Sequence, residues 1–549
     1  MSRTAFFAPP PEGVHTYVRD GGRVQPDAAA SVAADLLHWA TAGPDRPFLT
    51  WCPRDGGATV LTYGELERYS RRLATLLGGR VGPSRLLALL PANDLPSVVA
   101  IVTALRTGTP CLFLNPQDPV RRLRSVLADC PADLVLRSPY AAPQAAEFAQ
   151  TVPWDPTAWD DAERTDGTAP EGTDDAAGCA DARALPATHP ALLFGTSGST
   201  AASKLVVQSH RALTSNAEAV RRHHGLTRHR TLMGGLPLHH VNGVHFTLVA
   251  ALHAGAHTVL PQAISPYTYR ELLDQHRPDI VSLVPPVLEM LLATGRGWRP
   301  PDNLRYFVSA AAPLTSSLVR RVVDAFGVRV LQGYGLSETT NFSTTVPADA
   351  SEETYRAVAL DAGIPSVGVP LHGNEVEVFA EDGTLLGEGA HGEIRMRGHN
   401  VMEGYAHRPD LTDEAFAGGW FRSGDLGYWA AGPDGRRYFY ITGRGKNIAK
   451  VRGETVSLEE VERALLSVDS VTDAGCVALP HPAWGEQVVA LVATRSDDLD
   501  TVKARLAELV PPVALPVRWL RLDTVPRTAT GKLQRPRLAD IAREEAATS

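Results

Sequence analysis

The run Ala191-Leu192-Leu193-Phe194 is followed by Gly195-Thr196-Ser197-Gly198-Ser199-Thr200-Ala201-Ala202-Ser203-Lys204, a short apolar strand leading into small, hydroxylated residues that close on a lysine. Small side chains let successive backbone N–H groups approach an anion, hydroxyls add donors, and the lysine adds charge, which together suit a polyphosphate. This is not a Walker loop. In G-x-x-x-x-G-K-[ST] the lysine directly follows glycine, and that spacing is absent, so ordinary P-loop NTPase chemistry is disfavoured. Taken alone, the segment also reads as a surface turn.

Outward from this loop the chain alternates helical and strand-like patterns. Upstream, residues 61–77 (LTYGELERYSRRLATLL) and 95–108 (LPSVVAIVTALRTG) carry helical periodicity, interleaved with the apolar runs RLLALLP, TPCLFLN and ADLVLRS. Such alternation predicts a layered α/β domain. Downstream, HTVLPQ, DIVSLVPP, LRYFVSAAAP and VRVLQGYG each adjoin a helical stretch, a second set of α/β units. After about Gly363 short strands with Asp-Gly turns predict a small β-rich subdomain. The last hundred or so residues read as a compact α+β unit. Between Asp155 and Asp175 the chain is acidic and poor in apolar residues, which predicts an exposed, mobile connection.

Length and composition narrow the function. The chain has 549 residues, 44% of them hydrophobic, and a net charge of −8, which suits a multidomain globular protein of three or four structural units. No stretch approaches the roughly 18–20 apolar residues of a membrane span, and the N-terminus lacks a secretory core, so the expectation is a cytoplasmic protein without a membrane partner. Five scattered cysteines argue against a disulfide framework or a structural zinc site. A mildly acidic chain without a basic run excludes nucleic acid as the main partner. Only five lysines, Lys204, Lys446, Lys450, Lys503 and Lys532, stand among 53 basic residues, the other 48 being arginine. Four of the five lie in Gly/Ser/Thr-rich segments, where a compact, flexible ammonium can do what a planar fork cannot.

Three later segments complete a pattern. Gln332-Gly333-Tyr334-Gly335-Leu336-Ser337-Glu338-Thr339 places an aromatic ring and a carboxylate in a glycine-bearing turn after a predicted strand. Ser423-Gly424-Asp425-Leu426-Gly427 offers a carboxylate to ribose hydroxyls, and Ile441 to Gly453 (ITGRGKNIAKVRG) precedes the C-terminal unit. With these motifs, the chain resembles the adenylate-forming superfamily of acyl-CoA synthetases, peptide-synthetase adenylation domains and firefly luciferases, from about Leu61 to Arg535.

The resemblance implies an N-terminal domain of residues 1–445, with its β-rich part at about 363–445, and a small mobile C-terminal domain of residues 446–549. It implies activation of a carboxylic acid by ATP with Mg²⁺, giving an acyl-adenylate and pyrophosphate, then transfer to CoA. By the same likeness Thr196, Ser197, Gly198, Ser199, Thr200 and Lys204 hold the phosphates, and Glu338 with Thr200 serves the metal. Ala311, Gly333, Tyr334, Gly335 and Ser337 border the nucleotide, Asp425 takes the ribose and Arg444 assists. Lys532, in PRTATGK, matches the lysine inserted during adenylation, Lys446 the hinge, and Lys450 a lysine common in plant aryl-CoA ligases and luciferases. His240 matches the residue that gates the carboxylate, and Val241, Asn242 and Ala310 line the acid pocket.

Two departures bear on the reading. The loop lacks the Gly and Pro of the family's Thr-Gly-x-Pro-Lys, having Thr200-Ala201-Ala202-Ser203-Lys204, which alters backbone freedom while keeping hydroxyls and lysine. No Asp stands where amino-acid-activating domains hold an α-ammonium, and the small Ala310, Ala311 and Ala312 leave room for an aryl, cinnamate-like or medium-chain acid. Transfer to a trans-acting carrier protein, an amine or another small nucleophile is the alternative to CoA. A luciferase-like oxygenase and a non-catalytic nucleotide binder are further readings, and a monomer or homodimer is expected.

Overall fold

The computed structural model describes residues 13–19, 22–24, 31–159, 182–195, 204–266, 268–312, 314–451, 454–481, 484–495, 499–528 and 531–548. The fold is mixed α/β, a large N-terminal assembly followed by a small C-terminal unit. Two sheets of seven and nine strands dominate the first. In the nine-stranded sheet Arg329–Tyr334, Tyr306–Ser309, Ile280–Leu283, Thr231–Gly234, His257–Pro261 and Pro47–Cys52 run parallel as neighbours, with short antiparallel strands at both edges. The seven-stranded sheet sets Leu205–Ser209 against Pro190–Gly195 on one side and Gly404–Tyr405 on the other. Those strands bring residues two hundred positions apart in the chain to one edge, at the register Val206 to Tyr405.

Helices pack between the sheets for reasons visible in their composition. Tyr63–Leu77 begins with a reciprocal capping box between Thr62 and Glu65 and turns Leu66, Tyr69, Leu73 and Leu77 inward. Leu95–Thr107 starts at Asp94, which accepts from the Ser97 N–H, and ends at Gly108 in the left-handed region. It is apolar all round, and all of its residues but Arg106 are buried, as a helix between two layers must be. In the segment expected to be an exposed connection from Asp155, Asp155, Thr157 and Ala158 are exposed, whereas Trp159 is buried and packs with Trp154 against Tyr69. Most of the remainder of that acidic stretch lies outside the described residues.

A four-stranded antiparallel sheet, Asn374–Phe379, Gly392–Gly398, Phe421–Ala431 and Arg437–Arg444, forms the β-rich part. The C-terminal unit is built on Val471–His481 and Gly485–Thr494 with three further strands. Alternate residues of Gly485–Thr494 serve two separate cores: Val488, Ala490 and Val492 face one, Val489, Leu491 and Ala493 the other. The helix Leu458–Leu466 covers the first core and Arg535–Thr548 the second, so both faces of this small sheet are buried. Among the described residues no helix is long and apolar enough to cross a membrane. Cys52, Cys111, Cys130 and Cys476 are buried free thiols.

Candidate active site

Glu338 sits in a single 3-10 turn, Ser337–Thr339, at the end of the strand Arg329–Tyr334. The turn folds back so tightly that a Cβ on Gly335 would lie 1.6 Å from the Asn341 carbonyl oxygen, so only glycine fits there. Thr340, at φ +68°, bears the remaining strain. The turn is held from below. Gln208 donates from Nε2 to the Ser337 carbonyl at 2.8 Å, and the buried His245 lies 2.8 Å from Gln208 Oε1. Burial lowers the His245 pKa to about 3, so this ring is neutral.

From the other side the Met402 N–H donates to the Glu338 carbonyl at 2.7 Å, and the buried Tyr405 donates its phenol to Glu338 Oε1 at 2.9 Å. Burial first, then the Glu338 charge, pushes the Tyr405 pKa far up, so the phenol keeps its proton and remains a donor. The Lys204 ammonium lies 5.0 Å from the centre of the Tyr405 ring. One aromatic side chain therefore touches both the carboxylate and the lysine that ends the Gly/Ser/Thr loop. Sequence reading had passed over Tyr405, because a tyrosine in a Gly-Tyr pair carries no signal until a sheet edge sets it beside Glu338.

Asp425 and Arg444 face each other across neighbouring strands, and Arg444 Nε meets Asp425 Oδ1 at 2.7 Å. Tyr334 donates its phenol to Asp425 Oδ2 at 2.7 Å. Burial first, and then Asp425, raise the Tyr334 pKa well above the usual phenol value. The Asp425 carboxylate is thus oriented by two groups already picked out in the sequence.

Lys532 comes from the C-terminal unit into the same space. Its side chain is exposed, yet surrounding protein strips part of its hydration and, with Arg444, lowers its pKa, against the opposing pull of Glu338 and Asp425. Lys446 stands within electrostatic reach of Arg444, Asp425, Lys204 and Glu338, and loss of hydration heads the causes that lower its pKa. The residue matched to a hinge is therefore also coupled electrostatically to the cluster. His240 precedes the short helix Val241–Val244, its ring centre 4.3 Å from that of His239 and tilted against it by 46°; burial, His239 and Lys532 bring its pKa to about 3, leaving a neutral imidazole. Contact between the two units is direct: Gly531, at φ +81°, approaches Pro286 and Ala312 so closely that a Cβ would lie 2.9 Å from Pro286 Cγ.

Behind His240, the buried Asn242 donates to Asn341 Oδ1 at 3.3 Å and accepts from Ser282 Oγ at 2.9 Å. Val241 and Ala310 are half-buried against the main core, and Ala311 adopts φ +68° at the end of a parallel strand. Thr196, Ser197, Gly198, Ser199 and Thr200 lie outside the described residues, as does the Lys450 side chain. With Asp425 engaged by Tyr334 and Arg444, Glu338 beside Lys204, Lys446, Lys532 and Arg444 fits a cation such as Mg²⁺ that is held chiefly by phosphate and water oxygens, Glu338 supplying one hard donor.

Comparison with known proteins identifies the family and the fold. Residues 36–406 match the family model "AMP-binding enzyme" and residues 460–532 the model "AMP-binding enzyme C-terminal domain". The chain is 30% identical to a sulfoacetate–CoA ligase of Cupriavidus necator, covering 95% of this chain and 99% of that one. It is 30% identical to a feruloyl-CoA synthase of Amycolatopsis, covering 87% and 93%. Among solved structures, o-succinylbenzoate CoA synthetase of Bacillus subtilis with its acyl-adenylate superposes with a TM-score of 0.77 at 25% identity, over 92% of this chain and 97% of that one. ATP-bound MatB of Rhodopseudomonas palustris shares the fold, with a TM-score of 0.77 at 24% identity over 94% and 99%.

Proposed function

The chain belongs to the AMP-binding enzyme family of adenylate-forming enzymes, and on that premise we propose an AMP-forming acid–thiol ligase whose residues divide two half-reactions between them. In the first, an oxygen of the acid attacks the α-phosphorus of ATP and the bond to pyrophosphate breaks. In the second, the CoA sulfur attacks the acyl carbon of the adenylate and AMP leaves. The observation that carries this reading is the approach of the C-terminal unit to the large one, with Gly531 against Pro286 and Ala312 and Lys532 within electrostatic reach of Glu338, Asp425, Arg444 and His240.

Lys532 holds the attacking carboxylate beside the α-phosphate and stabilises the charge that develops there. The neutral His240 accepts or donates a hydrogen bond at the mouth of the acid pocket without adding a competing charge. Asp425, oriented by Tyr334 and Arg444, accepts from the ribose hydroxyls. Lys204 and residues 196–200 take the β- and γ-phosphates. Mg²⁺, held by Glu338 with Thr200, would neutralise phosphate charge. Residues 1–445 and 446–549 act as two bodies about Lys446, so that withdrawal of Lys532 makes room for the strand of Lys450 in thioester formation.

An aryl, cinnamate-like or medium-chain acid is the proposed substrate class, supported by the small residues Ala310, Ala311 and Ala312, and a trans-acting carrier protein is the alternative acceptor. Pyrophosphate release is measured across aryl, aliphatic and dicarboxylic acids, with and without CoA, and products are weighed by mass spectrometry. An acyl-CoA with AMP is expected. Pyrophosphate with a retained adenylate and no thioester would move the acceptor to a carrier protein. Replacing Lys532 by Ala should slow pyrophosphate release by roughly two or more orders of magnitude.

A further inference from the structure

The peptide that carries Lys532 is pinned by a side chain with no place in the chemistry. Arg527 grips Asp473 with two nitrogens, Nε to Oδ2 at 2.9 Å and Nη2 to Oδ1 at 2.6 Å. Its remaining nitrogen, Nη1, donates to the Gly531 carbonyl at 2.7 Å, the oxygen of the peptide that joins Gly531 to Lys532. We propose that Arg527 and Asp473 form a clip that positions Lys532 for adenylate formation, a proposal that rests on the adenylation role given to Lys532 above.

The surrounding loop is built to be held in this way. Arg527 and Leu533 form an antiparallel bridge that closes the turn. Inside it the Thr528 N–H donates to the Lys532 carbonyl at 2.8 Å and the Gly531 N–H to the Thr528 carbonyl at 2.9 Å, while Gln534 Nε2 donates to the Arg527 carbonyl at 2.8 Å. After the turn, Arg535 makes a second forked pair with Glu462, at 2.6 and 2.9 Å, and donates to the Cys476 carbonyl at 2.6 Å. Both anchors fasten to one strand, Val471–His481, through Asp473 before the loop and Cys476 after it. Arg527, Gly531 and Arg535 are therefore all fastened to that strand. A lysine on a four-carbon stem reaches a fixed target only if its backbone is fixed, and a rigid planar guanidinium can fork onto a carboxylate while donating elsewhere in its plane, whereas an ammonium is a single point with rotatable donors. Asp473 neutralises Arg527, so the clip acts through position and not through charge on the phosphates.

The test uses the full chain with Arg527→Gln, Asp473→Asn, Arg527→Lys, Lys532→Ala and the double change Arg527→Gln/Lys532→Ala. Pyrophosphate release reports adenylation, and thioester formation from supplied acyl-adenylate reports the second half-reaction. Arg527→Gln and Asp473→Asn should slow the first by roughly ten- to a hundredfold, the scale of a small misplacement of a reacting group, and leave the second within about twofold. Arg527→Lys should restore little, since it keeps the charge and loses the fork. In the Lys532→Ala background Arg527→Gln should cost nothing further, because a positioning residue works only through the group it positions. A slow Lys532→Ala beside a fast Arg527→Gln and Asp473→Asn would overturn the clip alone. Unchanged adenylation in Lys532→Ala would overturn the role of Lys532 and the clip with it. Equal loss in both half-reactions for both clip variants would show a merely structural pair.

Discussion

Gly531→Ala tests whether the arrangement described here is the one in which adenylation occurs. Gly531 has φ +81°, and an added Cβ would stand 2.9 Å from Pro286 Cγ, 3.2 Å from Pro286 Cδ and 3.8 Å from Ala312 Cβ. The left-handed backbone costs a non-glycine residue about 1–2 kcal/mol, and that cost falls on the loop in whatever orientation the C-terminal unit takes. The contact with Pro286 exists only when the two units are closed on each other. Pro286 is a ring in the first turn of the helix Pro285–Thr294 and cannot swing aside as a long side chain would. Overpacking of this kind costs roughly 1–3 kcal/mol, which at about 1.4 kcal/mol per factor of ten slows the closed-state reaction by about 5- to 150-fold. Pyrophosphate release without CoA should fall by that amount, and thioester formation from supplied acyl-adenylate should stay within a few-fold. Adding Pro286→Ala should restore part of the lost rate by removing the ring. Unchanged pyrophosphate release in Gly531→Ala, or no recovery with Pro286→Ala, would refute the argument that this contact belongs to the adenylating state.

Tyr405→Phe keeps the ring beneath Lys204 and removes the donor to Glu338 Oε1; kcat/KM for MgATP should fall roughly tenfold, and the Mg²⁺ concentration needed for half-maximal rate should rise. Lys446→Pro should stiffen the link and slow thioester formation more than adenylation, whereas Lys446→Gln, which removes only the charge facing Lys204 and Glu338, should weaken ATP use first. Comparing both half-reactions in both variants separates hinge from ligand. Acidification should destabilise the fold through buried neutral histidines: burial lowers His210 to about 4 and His245 to about 3, below the ordinary value of 6.5. Below 6.5 the unfolded chain binds protons that these rings refuse in the folded state, so each removes roughly 1 kcal/mol of stability per pH unit until its folded pKa is reached. Denaturation midpoints measured between pH 7 and 4.5 check this, and a His245→Gln variant should show a shallower slope.

Much of the fold could be read along the chain because it is local. Helical periodicity over 61–77 and 95–108 reads directly as helix, and the structure then caps the first with Thr62 and Glu65 and the second with Asp94 and Gly108. The continuous apolar run VVALVAT reads as a strand, and both of its faces prove to be buried. The expected exposed connection holds at Asp155, Thr157 and Ala158 and breaks at Trp159, which finds Tyr69 and Trp154, because a tryptophan's apolar area outweighs acidic neighbours once a partner surface exists.

The site divides in the same way. Lysine scarcity pointed to Lys204 and Lys532, and the glycine-flanked carboxylates to Glu338 and Asp425, because charge and hydrogen-bonding chemistry are properties of residues; the role of Arg444 was implied only by the family resemblance. Lys446 carried only a hinge in the sequence; folding turns it toward Glu338 and Lys204 as well. Tyr405 and the Arg527–Asp473 pair were invisible, since a phenol next to glycine and a salt bridge spanning 54 positions acquire meaning only from a sheet edge and a strand that bring them to their partners. Sequence determined which chemical groups this protein owns and where its helices and strands begin. Tertiary structure decided which groups share one cleft, with what orientation and protonation, because distance and desolvation are set by packing between segments far apart in the chain.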